Sequence, residues 1–280
     1  MNIKDLLIWG RNELKKSNIT DYEIIPNILL EHTCNISRNK LAMSYEMHVS
    51  DEDFQKFSKC INKVISGIPV QYITNKQEFM GIEFYVDENV LIPQPDTEIL
   101  VEKVVELFKD RACKILDLCT GSGAIAISLA KIIDNASVSA SDISSKALQI
   151  AKLNAEKNLV HRKINFIESD MFENINDKFD IIVSNPPYIE TDVIDTLDEQ
   201  VQSEPHIALD GGHDGLKFYR IIIENAVKYM NEGGMLFLEI GYNQKESVMQ
   251  LIEQNGGFCD TLCIKDYGEN DRVIVSKVRG

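Results

Sequence analysis

The sequence lacks the features that mark metal-binding, secreted and membrane proteins. Its six cysteines form no Cys-x-x-Cys pair and stand beside no histidine cluster. We therefore expect free thiols and no metal site. No apolar run reaches about 18 residues, the length that a membrane-spanning helix needs. Residues 1–16 have the pattern of an amphipathic helix rather than of a signal segment, so we expect a cytoplasmic protein with no membrane partner.

Basic residues are also scarce. There are 29 Lys or Arg against 44 Asp or Glu, which gives a formal net charge of −15. The first 72 residues carry nine of each sign, so the excess lies wholly beyond them. One stretch, residues 189–204, has six acids and no Lys or Arg: Glu190, Asp192, Asp195, Asp198, Glu199 and Glu204. An acidic surface repels phosphate backbones, so we expect no direct nucleic acid partner.

The hydrophobic pattern divides the chain into three parts. Residues 1–72 show apolar positions at helical spacing and predict a small all-helical N-terminal domain. Residues 73–92 alternate apolar and polar positions around Gly81 and predict a linking β-hairpin. Residues 93–280 alternate strand and helix patterns, which predicts an α/β domain with a largely parallel sheet. We expect a monomer with its catalytic chemistry in this third part.

The sequence Asn185-Pro186-Pro187-Tyr188 follows the apolar strand pattern of residues 179–184. Open α/β sheets bind substrates at the carboxyl ends of their strands, and two prolines make this turn stiff. The Asn185 side-chain oxygen and the Pro186 carbonyl offer two acceptors to a substrate –NH2 group, whose lone pair is otherwise delocalised. The Tyr188 ring is placed to stack on the planar group. Because such a nitrogen becomes acidic once an electrophile has added to it, no matched base is required, and a nearly flat pH dependence is expected.

A second motif predicts a cofactor loop. The strand pattern of residues 114–118 leads into Cys119-Thr120-Gly121-Ser122-Gly123 and then a helical stretch. Glycines allow close backbone approach to a ligand, and the helix N-terminus adds free N–H donors. The next strand ends in Asp142, where an acid commonly binds ribose hydroxyls, although an N-cap role is the alternative.

The third strand pattern is followed by Asp170 and Met171, which we expect at the adenine edge and face, together with Phe172. Capping and core roles for these residues are the alternative. Together these motifs predict an adenosine-containing cofactor. Two families that bind such a cofactor fit so far, the nicotinamide dehydrogenases and the methyltransferases.

The end of the chain separates these two families. Residues 258–264 and 272–277 predict an antiparallel pair that closes the sheet. That arrangement resembles the class I, Rossmann-like fold of S-adenosylmethionine-dependent methyltransferases, with a C-terminal antiparallel hairpin.

The resemblance extends to one family. Segments throughout the chain are similar to the HemK/PrmC release factor glutamine methyltransferases: residues 91–98 (LIPQPDTE), 117–126 (DLCTGSGAIA), 184–189 (SNPPYI), 211–216 (GGHDGL) and 238–241 (LEIG). Two positions depart from the family pattern. Gln94 stands where arginine is common, so an ion pair made by that arginine behind the turn of residues 95–98 is not expected. Cys119 stands where glycine is common.

The resemblance implies methyl transfer from S-adenosylmethionine, leaving S-adenosylhomocysteine, to the glutamine amide in the Gly-Gly-Gln motif of peptide chain release factors. Asn185, Pro186 and Tyr188 are the expected catalytic residues, and Pro187 joins them in binding the substrate. The expected cofactor residues are Cys119, Thr120, Gly121, Ser122, Gly123, Asp142, Asp170, Met171 and Asn185. The competing hypotheses are an RNA or DNA exocyclic-amine methyltransferase with the same loop, a dehydrogenase and a silent binding module.

Overall fold

A computed structural model describes residues 1–279, with every side chain in that range other than those of Arg38 and Ala42. The chain separates into two compact units. The first comprises residues 1–76 and 198–203, and the second comprises the remainder of the described chain. We call them the helical unit and the catalytic unit.

The helical unit contains α1 (Ile3–Lys16), α2 (Ile25–Cys34), α3 (Arg38–Met43), α4 (Asp51–Ile65), α5 (Val70–Thr74) and α10 (Glu199–Gln202). Helix α1 begins with a reciprocal cap, in which the Asn2 side chain accepts from the Asp5 N–H at 2.8 Å and the Asp5 carboxylate accepts from the Asn2 N–H. Its apolar face is buried against α2 and α4. At Gly10 a Cβ would lie 2.9 Å from the Phe57 ring, so glycine permits the close packing of α1 on α4.

Residues 198–203 join the helical unit from far along the sequence. The Ser203 hydroxyl donates to the Gly67 carbonyl at 2.9 Å. Gly67 has a φ of +85°, and a Cβ there would meet Glu199 at 3.0 Å. The sequence places this segment in the third part of the chain, because no local pattern shows such a long-range contact.

The catalytic unit begins with a hairpin of β1 (Gln77–Phe79) and β2 (Ile82–Phe84), which are paired antiparallel. The elements that follow are α6 (Glu98–Phe108), β3 (Cys113–Leu118), α7 (Ala124–Ile132), β4 (Ala136–Asp142), α8 (Ser145–Lys157), β5 (Ile164–Glu168), β6 (Phe179–Ser184), α9 (Thr191–Ile194), α11 (His206–Leu209), α12 (Lys217–Ala226), β7 (Met230–Glu239), α13 (Lys245–Asn255), β8 (Phe258–Lys265) and β9 (Asp271–Val278). Short 3₁₀ turns cover Pro95–Thr97, His161–Lys163 and Val227–Tyr229.

Seven strands form one sheet in the order β5-β4-β3-β6-β7-β9-β8. Strands β3 to β7 are paired in parallel, and β9 pairs antiparallel with both β7 and β8. The predicted class I methyltransferase fold is therefore confirmed. The strand order reverses between β3 and β6, and ligands of such sheets bind outside the carboxyl ends of the strands at that point.

One predicted boundary is wrong. The pattern indicates a helix over residues 216–230 and a strand over residues 235–239, whereas α12 ends at Ala226 and β7 begins at Met230. Met230 pairs with Phe179 before a register shift, and the strand passes through Gly233 at a φ of +73°. The polar and glycine-rich residues 231–234 indicate a turn, but a bulged strand accommodates the same composition.

Among residues 1–279, no helix has both the length and the apolar character needed to cross a membrane.

Asn154 on α8 links α8 to the backbone of two other segments of the catalytic unit, and its substitution tests this contribution to stability. Its side chain accepts from the Tyr85 N–H at 2.7 Å and donates to the Tyr85 and Ser122 carbonyls at 3.0 and 2.9 Å. Asn154→Leu leaves these backbone groups without their partner in a buried site. We expect the free energy of unfolding to fall by about 2–4 kcal/mol, measured by urea denaturation. Asn165→Leu on the exposed face of β5 is the control, with a change of about 0.5 kcal/mol or less. Equal changes in both variants would contradict this role for Asn154.

Candidate active site

The acceptor loop, Asn185 to Tyr188, begins directly after β6 and lies beside the end of β3. Leu118 and Ser184 are register partners, and the Ser184 hydroxyl donates to the Leu118 carbonyl at 2.8 Å. This contact brings the two sequence motifs to one edge of the sheet. Asn185 and Pro187 line a cavity at this edge, whereas Pro186 is buried and Tyr188 lies outside the cavity lining.

The side-chain amide of Asn185 has a defined orientation. Its nitrogen donates to the Thr97 hydroxyl at 3.2 Å. The Asn185 oxygen is the end of the amide left for a ligand. This arrangement suits an acceptor role for Asn185.

Tyr188 packs differently from the expected stacking residue. Its ring contacts the apolar cluster beneath β6 and β7. Burial raises the pKa of Tyr188, and Glu239 adds to the shift. The Gln244 side chain donates to the Tyr188 carbonyl at 3.0 Å. Stacking of the ring on a substrate stays a prediction.

The cofactor loop divides into two sets of residues. Cys119 and Gly121 line the cavity together with Asp142, Asp170 and Met171. Thr120, Ser122 and Gly123 do not line it. They hold the loop from behind: Thr120 donates to Asp117 at 2.6 Å, the Ser122 carbonyl accepts from Asn154, and a Cβ on Gly123 would meet Ile127 at 2.9 Å.

Two residues of the cofactor loop, Gly121 and Cys119, have positive φ angles. Gly121 has a φ of +54°, and a Cβ there would find no atom within 4 Å, because it would enter the cavity. Cys119 has a φ of +60°, a region that favours glycine. The glycine common at this position in the family therefore has a conformational reason, which Cys119 meets with some backbone strain.

Asp142 receives two backbone N–H groups. Its carboxylate oxygens accept from Gly121 and Ser144, both at 2.9 Å. Ser144, rather than Asp142, caps α8 by accepting from the Ala147 N–H. Burial raises the pKa of Asp142, and the two N–H groups oppose the shift. Asp142 is thus fixed at the cavity wall, as a ribose-binding acid requires.

Asp170 and Met171 line the same cavity beyond β5, but Phe172 does not. The Phe172 ring stacks on Tyr229 at 4.8 Å, and its adenine contact stays a prediction. Met171 has a φ of +46°, and its sulfur lies 4.0 Å from that of Cys119.

Several cavity residues are absent from the predicted site. The lining also includes Val90, Leu91, Pro205, Ile207, Lys217 and Phe218. They come from three separate segments, and only the fold brings them together. Asp117 opens the motif of residues 117–126 but was not predicted as a site residue. It is fully buried, one carboxylate oxygen accepts from Thr120 and the Ala126 N–H, and burial raises its pKa to about 7.

Arg272 is buried behind the Pro95–Thr97 turn and pairs there with the half-exposed Asp96 and the buried Asp266. Arg272 on β9 contacts Asp96 at 3.0 Å and Asp266 at 3.0 Å. Gln94, which replaces the family's usual arginine, donates instead to the Ile92 carbonyl at 3.0 Å. The cation paired with Asp96 is therefore supplied by β9.

The space next to Gly121 predicts a selective effect on cofactor binding. Gly121→Leu places a side chain in the cavity and should weaken the binding of S-adenosylhomocysteine at least about tenfold, measured by titration calorimetry. Gly256→Leu is the matched control, because Gly256 also has positive φ (+72°) and nothing within 4 Å of its Cβ position. Both variants carry backbone strain, but only the first fills the cavity. Unchanged affinity in Gly121→Leu would remove this loop from the cofactor site.

Comparisons with known proteins agree with this geometry. The family described as PrmC N-terminal domain matches residues 5–74, and the Methyltransferase small domain matches residues 94–203. The chain is 40% identical to a release factor glutamine methyltransferase of Clostridium botulinum, over 99% of each chain. It is also 40% identical to the one of Clostridium acetobutylicum, over 100% of this chain and 99% of that relative.

A solved structure shows the same fold. The ribosomal protein L11 methylase of Lactobacillus delbrueckii subsp. bulgaricus superposes with a TM-score of 0.51 at 21% identity, covering 70% of this chain and 84% of that one. The sequence identity with full-length relatives, the two matching domains and the sheet topology establish that this chain belongs to the release factor glutamine methyltransferase family.

Proposed function

We propose that the protein transfers the methyl group of S-adenosylmethionine to the side-chain amide nitrogen of the glutamine in the Gly-Gly-Gln motif of peptide chain release factors. The orientation of Asn185 is the observation that carries the proposal. Its nitrogen is bound to Thr97, so its oxygen is the end available to an incoming amide N–H. The names of the full-length relatives support the release factor as the substrate.

The cavity residues suit the cofactor. Gly121 leaves room for it, and Asp142 has the position and the fixed carboxylate for its ribose. On this proposal Asp170 and Met171 contact the adenine, and the Cys119 sulfur lies 4.0 Å from that of Met171. When bound, S-adenosylmethionine supplies an electrophilic methyl group on a positively charged sulfur.

The chain's own residues supply orientation rather than a base. The Asn185 oxygen and the Pro186 carbonyl accept the two N–H bonds of the glutamine amide, which lets the nitrogen lone pair localise. The proton that leaves the methylated nitrogen is acidic enough for water to accept. His213, in the turn before α12, is not among the cavity residues, and we assign it no part in the reaction.

The nucleic acid alternative receives less support from the surface. Glu190, Asp192 and Asp195 follow the acceptor loop and are exposed. This surface disfavours a phosphate backbone, whereas a protein substrate has no such requirement. Incubation with labelled S-adenosylmethionine and either a release factor or structured RNA separates the two. Label in RNA but not in protein would overturn the proposal.

Asn185→Ala tests the mechanism. The variant loses one of two acceptors, and we expect kcat on a release factor to fall about a hundredfold to a thousandfold. The affinity for S-adenosylmethionine should change far less than the rate, since Asn185 is one of many cavity residues. Rates from labelled methyl incorporation and affinities from calorimetry measure both. Wild-type turnover in Asn185→Ala would show that the acceptor mechanism is wrong.

We also infer that the helical domain, residues 1–72, recognises the protein substrate. It exposes apolar side chains on neighbouring helices, including Ile8, Ile24 and Ile28, and its positive and negative residues are equal in number. Exposed apolar groups of this kind favour a protein partner. On this proposal residues 73–92 are the linker and residues 93–280 the catalytic domain.

A double variant tests this role. Ile24→Gln with Ile28→Gln should raise KM for the release factor about threefold to tenfold while kcat and cofactor affinity stay the same. Leu159→Gln, at a similarly exposed apolar side chain of the catalytic unit, is the matched control. If the control raises KM as much as the double variant, the helical domain has no special part in recognition.

A further inference from the structure

Residues 85–92 connect the β1–β2 hairpin to the turn before α6 and border the cofactor cavity. We call this segment the strap. Asn89, Val90 and Leu91 of the strap line the cavity. Val90 is buried and Asn89 is half-buried. Of these three residues Asn89 alone has a polar side chain, and the site predicted from the sequence does not include it.

Buried side chains hold both ends of the strap. Asn154 accepts from the Tyr85 N–H at 2.7 Å and donates to the Tyr85 carbonyl at 3.0 Å. At the other end the Glu204 carboxylate accepts from the Ile92 N–H at 2.9 Å. Asn154 is fully buried and Glu204 is 8% exposed. The strap is therefore fixed at the cavity before a ligand arrives, so little binding energy is lost in ordering it.

A turn within the strap fixes the side chain of Asn89. The Asp87 carbonyl accepts from the Val90 N–H at 3.2 Å and closes a four-residue turn. One carboxylate oxygen of Asp87, Oδ1, accepts from both the backbone N–H and the side-chain nitrogen of Asn89, each at 2.9 Å. The nitrogen end of the Asn89 amide is thus held at Asp87.

The oxygen end of the Asn89 amide is left for a ligand. An ionised carboxylate accepts hydrogen bonds and donates none, so the Asn89 nitrogen, and not its oxygen, is the partner of Asp87. Asn89 lines the cavity, whereas Asp87 does not. The charged partner at the nitrogen end also polarises the amide, which makes its oxygen a stronger acceptor.

Two contacts locate the strap in the site. Asn154, which holds Tyr85, also donates to the Ser122 carbonyl at 2.9 Å, so the strap begins beside the glycine loop. The chain then continues to Thr97, whose hydroxyl accepts from Asn185 at 3.2 Å. The segment that contains Asn89 therefore leads from the glycine loop, after β3, to the acceptor loop, after β6.

The strand order indicates which part of the cofactor the strap meets. The order at this end of the sheet is β5-β4-β3-β6. On the proposed function the adenine is at Asp170, after β5, and the ribose is at Asp142, after β4. The methionine end of the cofactor is then next along the edge, beside β3 and β6. Its ammonium group carries three N–H donors and a positive charge, and Asp87 and Glu88 place two carboxylates in the turn of the strap.

We propose that Asn89 is a further cofactor-binding residue, whose side-chain oxygen accepts a hydrogen bond from the ammonium group at the methionine end of S-adenosylmethionine. Asp87 is its positioning residue and touches no ligand. The inference rests on the proposed function, because it takes the cofactor and the places of its adenine and ribose from there.

Asn89→Ala tests the contact in the full-length protein. S-adenosylhomocysteine has the ammonium group, so its Kd should rise about tenfold, measured by titration calorimetry. Methylthioadenosine lacks the amino-acid end, and its Kd should stay at the wild-type value. Asn231→Ala is the matched control, since Asn231 is also half-buried and donates to a carboxylate, that of Asp180 at 2.7 Å, but does not line the cavity.

Substitutions of Asp87 test the positioning role. Asp87→Asn keeps an acceptor oxygen for Asn89 and should hold the Kd of S-adenosylhomocysteine within about twofold of wild type. Asp87→Ala frees the amide and should raise this Kd about threefold to tenfold. In the Asn89→Ala background the same substitution should add little, because the two residues act as one unit. Circular dichroism checks that each variant folds, and the Asp87 pair decides the matter if Asn89→Ala does not fold.

The two ligands separate the outcomes. Weaker binding of S-adenosylhomocysteine in Asn89→Ala, with methylthioadenosine unchanged, supports the proposal. Unchanged affinity for S-adenosylhomocysteine, an equal loss for both ligands, or the same loss in Asn231→Ala overturns it. If wild-type protein binds S-adenosylhomocysteine but leaves release factor unmethylated, the proposed function fails, and the calorimetry still decides whether Asn89 binds the ammonium group.

Discussion

The register between β3 and β6 is the constraint on which the rest of the site depends. Leu118 and Ser184 are opposite each other, and the Ser184 hydroxyl bonds the Leu118 carbonyl. One strand leads into the glycine loop and the other into the acceptor loop, so this pairing sets the distance between the two loops. A shift by one residue would turn every side chain of β6 to the opposite face of the sheet. The two chemical motifs work together only because the sheet core fixes this register.

The site also places three carboxyl groups out of water. Burial raises the pKa values of Asp117, Glu204 and Glu239 to about 7. A carboxyl whose folded pKa is above its unfolded value binds its proton more tightly when folded, so stability falls as the pH rises between the unfolded and folded pKa values. Two of these acids fix the position of a neighbouring group. Asp117 accepts from Thr120 and the Ala126 N–H and holds the glycine loop, and Glu204 accepts from the Ile92 N–H. At a pH above these values the ionised buried acids therefore lower the stability of the folded chain.

Sequence reasoning found the parts of the site that local chemistry determines. Gly121 and Asp142 follow strand patterns directly, and both lie at the cavity as expected. It did not separate Gly121, which leaves room in the cavity, from Gly123, which packs on Ile127 and Ala151, because both occupy the same motif. It also missed the partner of Asn185, since Thr97 stands 88 positions earlier in the chain. The orientation of Tyr188 could not be predicted either, because its ring packs on apolar residues from distant parts of the chain.

The C-terminal hairpin has a further part in this arrangement. Strand β9 pairs with β7 and places Val273 opposite Glu239, so its neighbour Arg272 reaches the end of β7. There the buried guanidinium contacts Asp96 and Asp266 and donates to the Ile240 carbonyl. A cation among several acids reduces their mutual repulsion, and its rigid fork suits this number of acceptors. The hairpin that distinguishes this fold from a dinucleotide-binding domain therefore supplies the cation that contacts Asp96 in the Pro95–Thr97 turn, the turn whose Thr97 accepts from Asn185.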